Sequence, residues 1–354
     1  AIMVLAMHAG FAFLEVGTVR RKNQVNALVK IIVDFAVSTI AYFFVGYSVA
    51  YGVDFFANAG VLSGQITPEN GPSFAASGYD LVKFFFLLTF AAAIPAIISG
   101  GIAERARFYP QLFATAILVG IFYPLFEGMV WNNNFGFQDM IEANFGAPFH
   151  DFAGSIVVHA VGGWIALGAV VSLGVRRGRY TKTGGLIGIP PSNIPFLALG
   201  SWVLCVGWFG FNGGSLLEAS DQIPLVLMNT VIAACAGGMI NLMFSRVSSD
   251  QIRIERILNG VLGGLVAVTA SAHIVELTSA VIIGAVGGLV AHYASEFMLH
   301  TLKLDDPVSA VPVHGFAGAW GTLAAAFYSH DSGSMLSHMT TQLIGIVSVF
   351  AWSF

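Results

Sequence analysis

Two histidines lie inside apolar stretches of the chain, each eight residues after an aspartate: His159 follows Asp151, and His314 follows Asp306. Eight residues of helix rise about 12 Å. If each aspartate begins a membrane helix, each histidine lies near the middle of the bilayer. Ionisable residues at that depth are rare and mark transport paths or proton relays. We therefore predict that His159 and His314 line a pore; the alternative interpretation is a pair of hydrogen-bonded packing histidines.

Such a pair has a defined chemistry. Neutral imidazoles are expected in an apolar setting, and each then offers one hydrogen-bond donor and one acceptor. Two that share a hydrogen bond titrate as one unit and can face a file of small polar molecules that both donate and accept. Asp151 and Asp306 are predicted to be helix N-caps, with Pro307 favourable as a first helical residue.

The segments that carry the histidines resemble each other. Residues 151–164 read DFAGSIVVHAVGGW, residues 306–320 read DPVSAVPVHGFAGAW, and a glycine follows each histidine at 163 or 318. Because five predicted spans separate them, the two helices run in opposite directions through the membrane. This pattern indicates an inverted repeat with a site at its interface.

Composition indicates that the chain is a membrane protein. Of its 354 residues 56% are hydrophobic and only 10% are charged, with a mean hydropathy of +0.79, whereas roughly a quarter are charged in ordinary soluble domains. The lipid bilayer is the expected solvent. A net charge of −4 without a basic stripe argues against a nucleic-acid partner.

The sequence offers little for enzyme or cofactor chemistry. Cys205 and Cys235 lie in apolar runs, so we predict neither a disulfide nor a metal site, and no cofactor. No nucleophile, base and oxyanion set is evident, so an enzyme is not expected. Ala1 to Phe13 is already apolar and a basic cluster follows, so we expect no cleavable signal and a chain that begins inside its first span and ends inside or at the end of its last.

Apolar stretches that can cross about 30 Å of hydrocarbon, which takes roughly 20 helical residues, divide the chain into eleven spans. They lie near residues 1–19, 31–51, 82–103, 110–130, 152–175, 194–211, 223–244, 257–274, 277–298, 307–328 and 336–354. The sequence thus predicts an all-α membrane protein with a single domain over residues 1–354. Spans 1–5 and 6–10 are its pseudo-symmetric halves, and the eleventh is an additional C-terminal helix.

Charges in the loops predict the orientation, because Lys and Arg stay on the cytoplasmic side. Loops after odd-numbered spans are basic, through Arg20, Arg21, Lys22, Arg105, Arg107, Arg176, Arg177, Arg179, Lys182, Arg246, Arg253, Arg256 and Lys303. Loops after even-numbered spans are acidic, and Lys83 is the one base near them. Their acidic residues are Asp54, Glu69, Asp80, Asp139, Glu142, Glu218, Asp221, Glu276 and Asp331. We predict an outer N-terminus and a cytoplasmic C-terminus in the cell membrane.

Several motifs together resemble the ammonium transporter (Amt/MEP/Rh) family, and its Amt branch in particular, almost end to end. Beside the two histidine segments, they are VRRKN at 19–23, TFA at 89–91, GIAER at 101–105, MVW at 129–131, GWFGFNGGS at 207–215, DDP at 305–307 and VHG at 313–315.

The resemblance implies a homotrimer whose subunits each hold a pore for ammonium or ammonia, in the service of nitrogen uptake. It assigns ammonium recruitment to Trp131, Phe90 and Ser215, with Asp151 near the external site, and a stacked gate to Phe90 and Phe211. The chemistry agrees, because aromatic faces attract cations and a hydroxyl accepts a hydrogen bond that K⁺ cannot donate.

Such a pore would select by the cost of desolvation, that is, by the free energy needed to remove water from the molecule that passes. Carrying a bare cation through an apolar constriction costs many kcal/mol, while ammonia is cheaper to desolvate. We expect deprotonation near the gate and passage of ammonia along His159 and His314. The proton is either left outside or relayed separately, and the sequence leaves both outcomes open.

Other functions and partners also follow from the resemblance. The same fold can be an ammonium sensor with a fused signalling domain after the last span, which is the second function that we carry. An Rh-like gas channel is disfavoured by Trp131 and Ser215. A PII-type protein is a candidate regulator.

Glu15 lies near the inner end of the first span. Its side chain could pack against the basic residues of the adjacent loop or modify the exit of the pore, and we favour the first role.

Overall fold

The computed structural model describes residues 1–52, 71–248, 252–328 and 333–354, without the side chains of residues 71–77, 247 and 248. Three acids used to predict orientation, Asp54, Glu69 and Asp331, lie outside the described residues. No described residue belongs to a β-strand, and Tyr180 and Leu186 form an isolated bridge. The predicted all-α class is confirmed over these ranges.

Helices follow one another with short connections along the described chain. We number them α1 Ile2–Thr18, α2 Arg21–Tyr51, α3 Gly71–Gly101, α4 Phe108–Trp131, α5 Phe137–Phe145, α6 Ser155–Leu173, α7 Ile194–Gly214, α8 Ile223–Ser248, α9 Ile254–Val268, α10 Leu277–Thr301, α11 at residues 311–325 and α12 Met335–Ser353.

Within the described residues, eight helices are long and apolar enough to cross a membrane: α2, α3, α4, α6, α7, α8, α10 and α12. The helices α1, α9 and α11 are shorter. Each predicted span overlaps one of these helices. The short helix α5 forms inside the 132–150 connection, which the sequence shows only as a long loop between two spans.

The helices that carry the two histidines share an irregular beginning. Residues Ser155–Ala160 of α6 and Val311–Phe316 of α11 form π-helical turns, and each turn contains one histidine. A π turn widens the helix by one residue and is frequent at functional sites. The two segments that resemble each other in sequence therefore also resemble each other in backbone geometry.

Small residues let the helices approach closely, as is common in membrane bundles. A Cβ atom added at Gly17 of α1 would lie 2.4 Å from the backbone nitrogen of Leu197 in α7, and one added at Gly200 of α7 would lie 2.3 Å from that of Leu14. Only glycine fits at these two positions, so α1 and α7 are held in backbone contact along their length.

A buried ion cluster joins the C-terminal side of α6 to the segment before α11. The carboxylate of Asp305 is fully buried and accepts hydrogen bonds from the backbone and guanidinium of Arg176, at 2.8–3.0 Å. Arg179 Nε forms a further ion pair with the same carboxylate, at 3.2 Å from Oδ1 of Asp305. Burial alone would raise the pKa of Asp305, but its hydrogen bonds to Arg176 and the two arginine charges outweigh burial and hold that pKa below its ordinary value.

Asp305→Asn tests this cluster. Because it leaves two arginines without a counter-charge, we expect a loss of about 3 kcal/mol in the free energy of unfolding at neutral pH. The native pKa is below the unfolded value of about 3.9, so the wild-type advantage is complete above about pH 5 and is lost as pH falls through the native pKa.

Denaturant unfolding of both proteins in detergent, repeated across pH, measures the difference. The exposed Asp221→Asn is the control and should change little. A wild-type advantage that grows toward acid would contradict the assignment.

Candidate functional site

The two histidines meet in the interior of the bundle. Nδ1 of His314 lies 3.2 Å from Nδ1 of His159, and the ring centroids are 5.2 Å apart with a tilt of 28°. Their side chains are buried, at 5% and 0% exposure. The structure thus brings together two residues that are 155 positions apart in the chain.

The shared hydrogen bond constrains both rings. One Nδ1 must carry the proton and the other must accept it. In the neutral pair, the ring that donates through Nδ1 has a bare Nε2, and the ring that accepts has a protonated Nε2. The pair therefore offers one acceptor and one donor at its outer nitrogens. Nε2 of His159 has no hydrogen-bond partner among the described residues, so it is free to bind a small polar molecule.

A close crossing of α6 and α11 holds the rings at this distance. A Cβ atom added at Gly163 would lie 2.3 Å from the backbone nitrogen of Gly315, and one added at Gly318 would lie 2.5 Å from the carbonyl oxygen of Ser155. The glycines that follow each histidine in the repeated sequence are therefore the contact points between the two helices.

Asp151 holds the first turn of α6. Its carboxylate accepts four backbone hydrogen bonds, from Gly154, Ser155, Ile156 and Val157, at 2.8–3.0 Å. With 5% exposure, the carboxylate is committed to the helix start.

Asp306 plays the same part at α11, accepting from the backbone of Val311 at 2.8 Å. The N-cap prediction is wrong in position, because the residues just before the first helical ones are Gly154 and Ala310, and Pro307 also lies before α11. Both carboxylates still hold the helix starts, since they accept hydrogen bonds from the first backbone N–H groups. In addition, Nε1 of Trp131 donates to the carbonyl oxygen of Asp151 at 2.8 Å, so the aspartate that holds the start of α6 also positions the indole of α4.

An aromatic stack covers the histidine pair on the side of His159, away from His314. Phe90 of α3 and Phe211 of α7 lie face to face, with centroids 3.9 Å apart and a tilt of 8°. The ring of His159 stacks on Phe211 at 5.1 Å and on Trp208 at 4.9 Å. Trp208 could not be selected from the sequence, because an apolar helix with many aromatics offers no sign of which ring faces the site.

A cavity of about 210 Å³ lies on the Phe90 side of this stack; we call it the outer cavity, because the predicted orientation places it on the outer side. Its lining includes the three residues predicted for recruitment, and consists of Tyr51, Lys83, Phe86, Leu87, Phe90, Trp131, Phe152, Ser215 and Leu217. The hydroxyl of Ser215 donates to the carbonyl oxygen of Phe211 at 2.8 Å, which leaves its lone pairs available as acceptors. Phe211 lies behind Phe90, away from this cavity. Lys83 also lines the outer cavity, whereas the sequence shows it only as a base near acidic loops.

A much smaller inner cavity, of about 10 Å³, lies on the far side of the pair. His314 and Glu15 are the polar side chains in its lining, which also includes Phe11, Leu14, Ile97 and Val313. This volume is near the minimum for one water-sized molecule. The three parts form a series: an outer cavity with mainly aromatic and aliphatic walls, an aromatic stack, and a buried histidine pair with a narrow, mainly apolar space behind it.

The preference for Glu15 as a partner of the loop bases is wrong. Its carboxylate accepts a hydrogen bond from Ser99 of α3 at 2.8 Å and forms no ion pair within the described part of the chain. Of the nearby loop bases, Arg20 pairs with Glu104 instead. No group of His, Cys, Asp and Glu suited to a metal ion occurs among the described residues.

Comparisons with known proteins match the whole chain. The profile described as Ammonium Transporter Family covers residues 1–354. The ammonium transporter Amt2 of Archaeoglobus fulgidus is 36% identical over 370 residues, which include 99% of this chain and 78% of the relative. A putative ammonium transporter of Synechocystis sp. is 37% identical over 363 residues, with 99% of this chain covered; the chain spans 65% of that relative's length.

Among solved structures, a protein named "Sensor Amt Protein" superimposes with a TM-score of 0.89 at 36% identity. The match covers 100% of this chain and 88% of that one. The relatives therefore include proteins named as transporters and one named as a sensor.

Gly163→Ala tests the crossing that brings the histidines together. The added methyl group has no space against α11, so α6 must shift, and we expect a loss of about 1–3 kcal/mol in stability. Gly168→Ala is the matched control on the same helix, because its Cβ would lie 3.8 Å from its nearest neighbour and alanine favours helix. Thermal unfolding in detergent compares them, and equal melting temperatures for the two variants would refute the close crossing.

Proposed function

Because the chain belongs to the ammonium transporter family, we propose that it recruits ammonium on the outer side and passes ammonia through the His159–His314 pair. The observation that carries the proposal is the 3.2 Å contact of the two imidazoles, enclosed between the outer cavity and the inner cavity.

Recruitment takes place in the outer cavity. Trp131 and Phe90 offer aromatic faces, which attract a cation within about 6 Å of the ring centroid. The oxygen of Ser215 accepts a hydrogen bond from the ion. Because ammonium donates hydrogen bonds and K⁺ does not, this combination favours ammonium. Asp151 acts on this site through its carbonyl oxygen, which fixes the indole of Trp131.

Deprotonation takes place at the aromatic stack. The rings of Phe90 and Phe211 touch at 3.9 Å, so water cannot accompany an ion past them unless the rings move apart. A bare cation loses its hydration without a counter-charge there, which costs several kcal/mol even after relaxation. Ammonia has no such cost. The cheapest route is therefore for ammonium to give up its proton before the gate opens, either to water on the outer side or to a separate relay.

The histidine pair then replaces the water that ammonia leaves behind. Its two outer nitrogens offer one donor and one acceptor, and ammonia itself both donates and accepts. The pair thus compensates the neutral molecule but offers no negative charge to an ion. This accounts for a pore that favours ammonia over ammonium at its narrowest part.

We also propose the architecture predicted from the sequence: a single domain over residues 1–354 with eleven spans, two inverted halves and a final helix, an outer N-terminus and a cytoplasmic C-terminus in the cell membrane. The shared features of α6 and α11, namely an aspartate that holds the helix start, a π turn and a histidine, support the inverted repeat. On the family's pattern we propose a homotrimer, a role in nitrogen uptake rather than in catalysis, and a PII-type protein as a candidate regulator.

Ammonium sensing is the second candidate function. A solved structure that is 36% identical to this chain is named "Sensor Amt Protein", which is the observation in its favour. A sensor would bind ammonium in the outer cavity and carry little or no flux. Electrophysiology on solid-supported membranes separates the two, because only a transporter gives ammonium-dependent currents that last beyond binding. The charge moved also distinguishes electroneutral passage from a separate proton relay.

His159→Ala and His314→Ala test the pore. Each removes a hydrogen bond to ammonia in the desolvated segment, worth about 1 kcal/mol, so we expect a loss or change of conduction of about fivefold or more. The measurement is the ammonium-evoked current in reconstituted membranes. His292→Ala, which removes a buried histidine of α10 outside the pore lining, is the control. Unchanged flux and selectivity in both pore variants would remove the mechanism.

Trp131→Leu tests recruitment. It removes a cation–π contact worth about 0.5–2 kcal/mol while leaving the histidine pair intact, so we expect the half-saturating ammonium concentration to rise about threefold or more. The same current recorded against external ammonium concentration measures it. A concentration dependence equal to that of the wild type would count against the outer cavity as the recruitment site.

A further inference from the structure

The inner cavity contains a buried carboxyl group that the proposed pathway does not use. Glu15 lies near the C-terminal end of α1, is 3% exposed, and lines the same cavity as His314. The rest of the lining is apolar. A molecule that leaves the histidine pair toward this cavity therefore meets one further polar side chain there, and it is an acid.

The carboxyl group has an unused acceptor. Oε2 accepts from the hydroxyl of Ser99 at 2.8 Å, while Oε1 accepts no hydrogen bond from the residues that the structure describes. Glu15 also lacks an ion-pair partner within that part of the chain. A buried carboxylate that lacks a counter-charge is costly, and such groups are normally paired or bind cations.

The nearby charged groups on α2 are engaged elsewhere. Lys30 donates through Nζ to the carbonyl oxygen of Ala106 at 2.7 Å. Asp34 accepts from Gln111 and Thr115, at 2.7 and 2.8 Å. Both act on Glu15 only through their fields, so the position next to Oε1 is available for a ligand.

We propose that Glu15 forms a second, inner ammonium site, in which its carboxylate holds one ammonium ion in the cavity behind His314. The cavity of about 10 Å³ suits a single ion of water size, and its apolar walls strengthen an ion pair by keeping water away. The inference rests on the proposed function, because ammonia that passes the histidines is the source of the ion.

The chemistry balances for either starting state of Glu15. If the group is a carboxylic acid, its O–H bond breaks, an N–H bond forms on the arriving ammonia, and the carboxylate keeps the electron pair. If it is a carboxylate, the arriving ammonia takes its proton from water on the inner side: an O–H bond of water breaks, an N–H bond forms, hydroxide returns to that side, and the ammonium ion pairs with the carboxylate. Both routes end in the same ammonium–carboxylate pair. The ion then leaves to the inner side, and in the first route the carboxylate recovers its proton from water there.

Infrared difference spectroscopy on the full chain in lipid tests this site, with ammonium chloride exchanged against sodium chloride. We expect ammonium to change the carboxyl bands of the wild type. Glu15→Gln keeps the size of the side chain and a hydrogen bond to Ser99, and it should lose this change. Glu142→Gln makes the same replacement at an exposed glutamate of α5, and it should keep the change.

A second variant covers the case in which Glu15→Gln fails to fold. Glu15→Asp keeps the charge but draws the carboxylate back by one methylene. We expect its carboxyl bands to respond at about tenfold higher ammonium, as for a stretched charge-assisted hydrogen bond. A half-saturating concentration equal to that of the wild type would overturn the proposal.

The outcomes separate this inference from the proposed function. Carboxyl bands that persist in Glu15→Gln, or that are missing from a wild type that carries ammonium current, overturn the inner site and leave transport intact. Bands that depend on Glu15 in a wild type without current support the inner site and refute transport.

Discussion

The close crossing of α6 and α11 is the contact on which the site depends. Gly163 meets the backbone of Gly315. As a result, the imidazole of His159, one turn before Gly163, comes within 3.2 Å of that of His314, the neighbour of Gly315. Each helix begins with a π turn that includes its histidine, and the carboxylate of an aspartate that precedes the helix holds this first turn. At the cytoplasmic ends that we propose, Asp305 and Arg176 link the same two segments by a buried ion pair. The position of the rings is therefore set by backbone contacts rather than by the histidine side chains.

This arrangement orders the site by polarity. The outer cavity presents aromatic faces and a hydroxyl oxygen to a hydrated cation. The Phe90–Phe211 stack admits no water at its contact distance. Behind it, the paired histidines supply hydrogen bonds without a negative charge, and the acidic side chain of Glu15 comes only after them. Since the free energy of a cation rises steeply when water is removed and that of ammonia does not, the order of these groups favours release of the proton first and its return last.

Much of this could be predicted from the sequence because it depends on local rules. The spacing from Asp151 to His159, repeated at Asp306 and His314, predicts that each aspartate holds the start of the helix that carries its histidine, and both carboxylates do accept hydrogen bonds there. What could not be predicted depends on distant contacts. Trp208 stacks on His159, and Lys83 lines the outer cavity. Glu15 lines the inner cavity instead of pairing with the loop bases. Helical periodicity gives the side of a helix that is buried, but a helix surrounded by neighbours has more than one buried side. The choice among neighbours is made by packing, which a single sequence does not display.

Nitrogen-15 NMR of the histidine-labelled protein in lipid tests the central claim most directly. The account predicts a neutral pair, with one protonated and one bare Nδ1 joined by a hydrogen bond, and Nε2 resonances of His159 and His314 that move when ammonium replaces sodium. Two protonated Nδ1 atoms without a coupling between them, together with Nε2 signals that do not respond to ammonium, would contradict it.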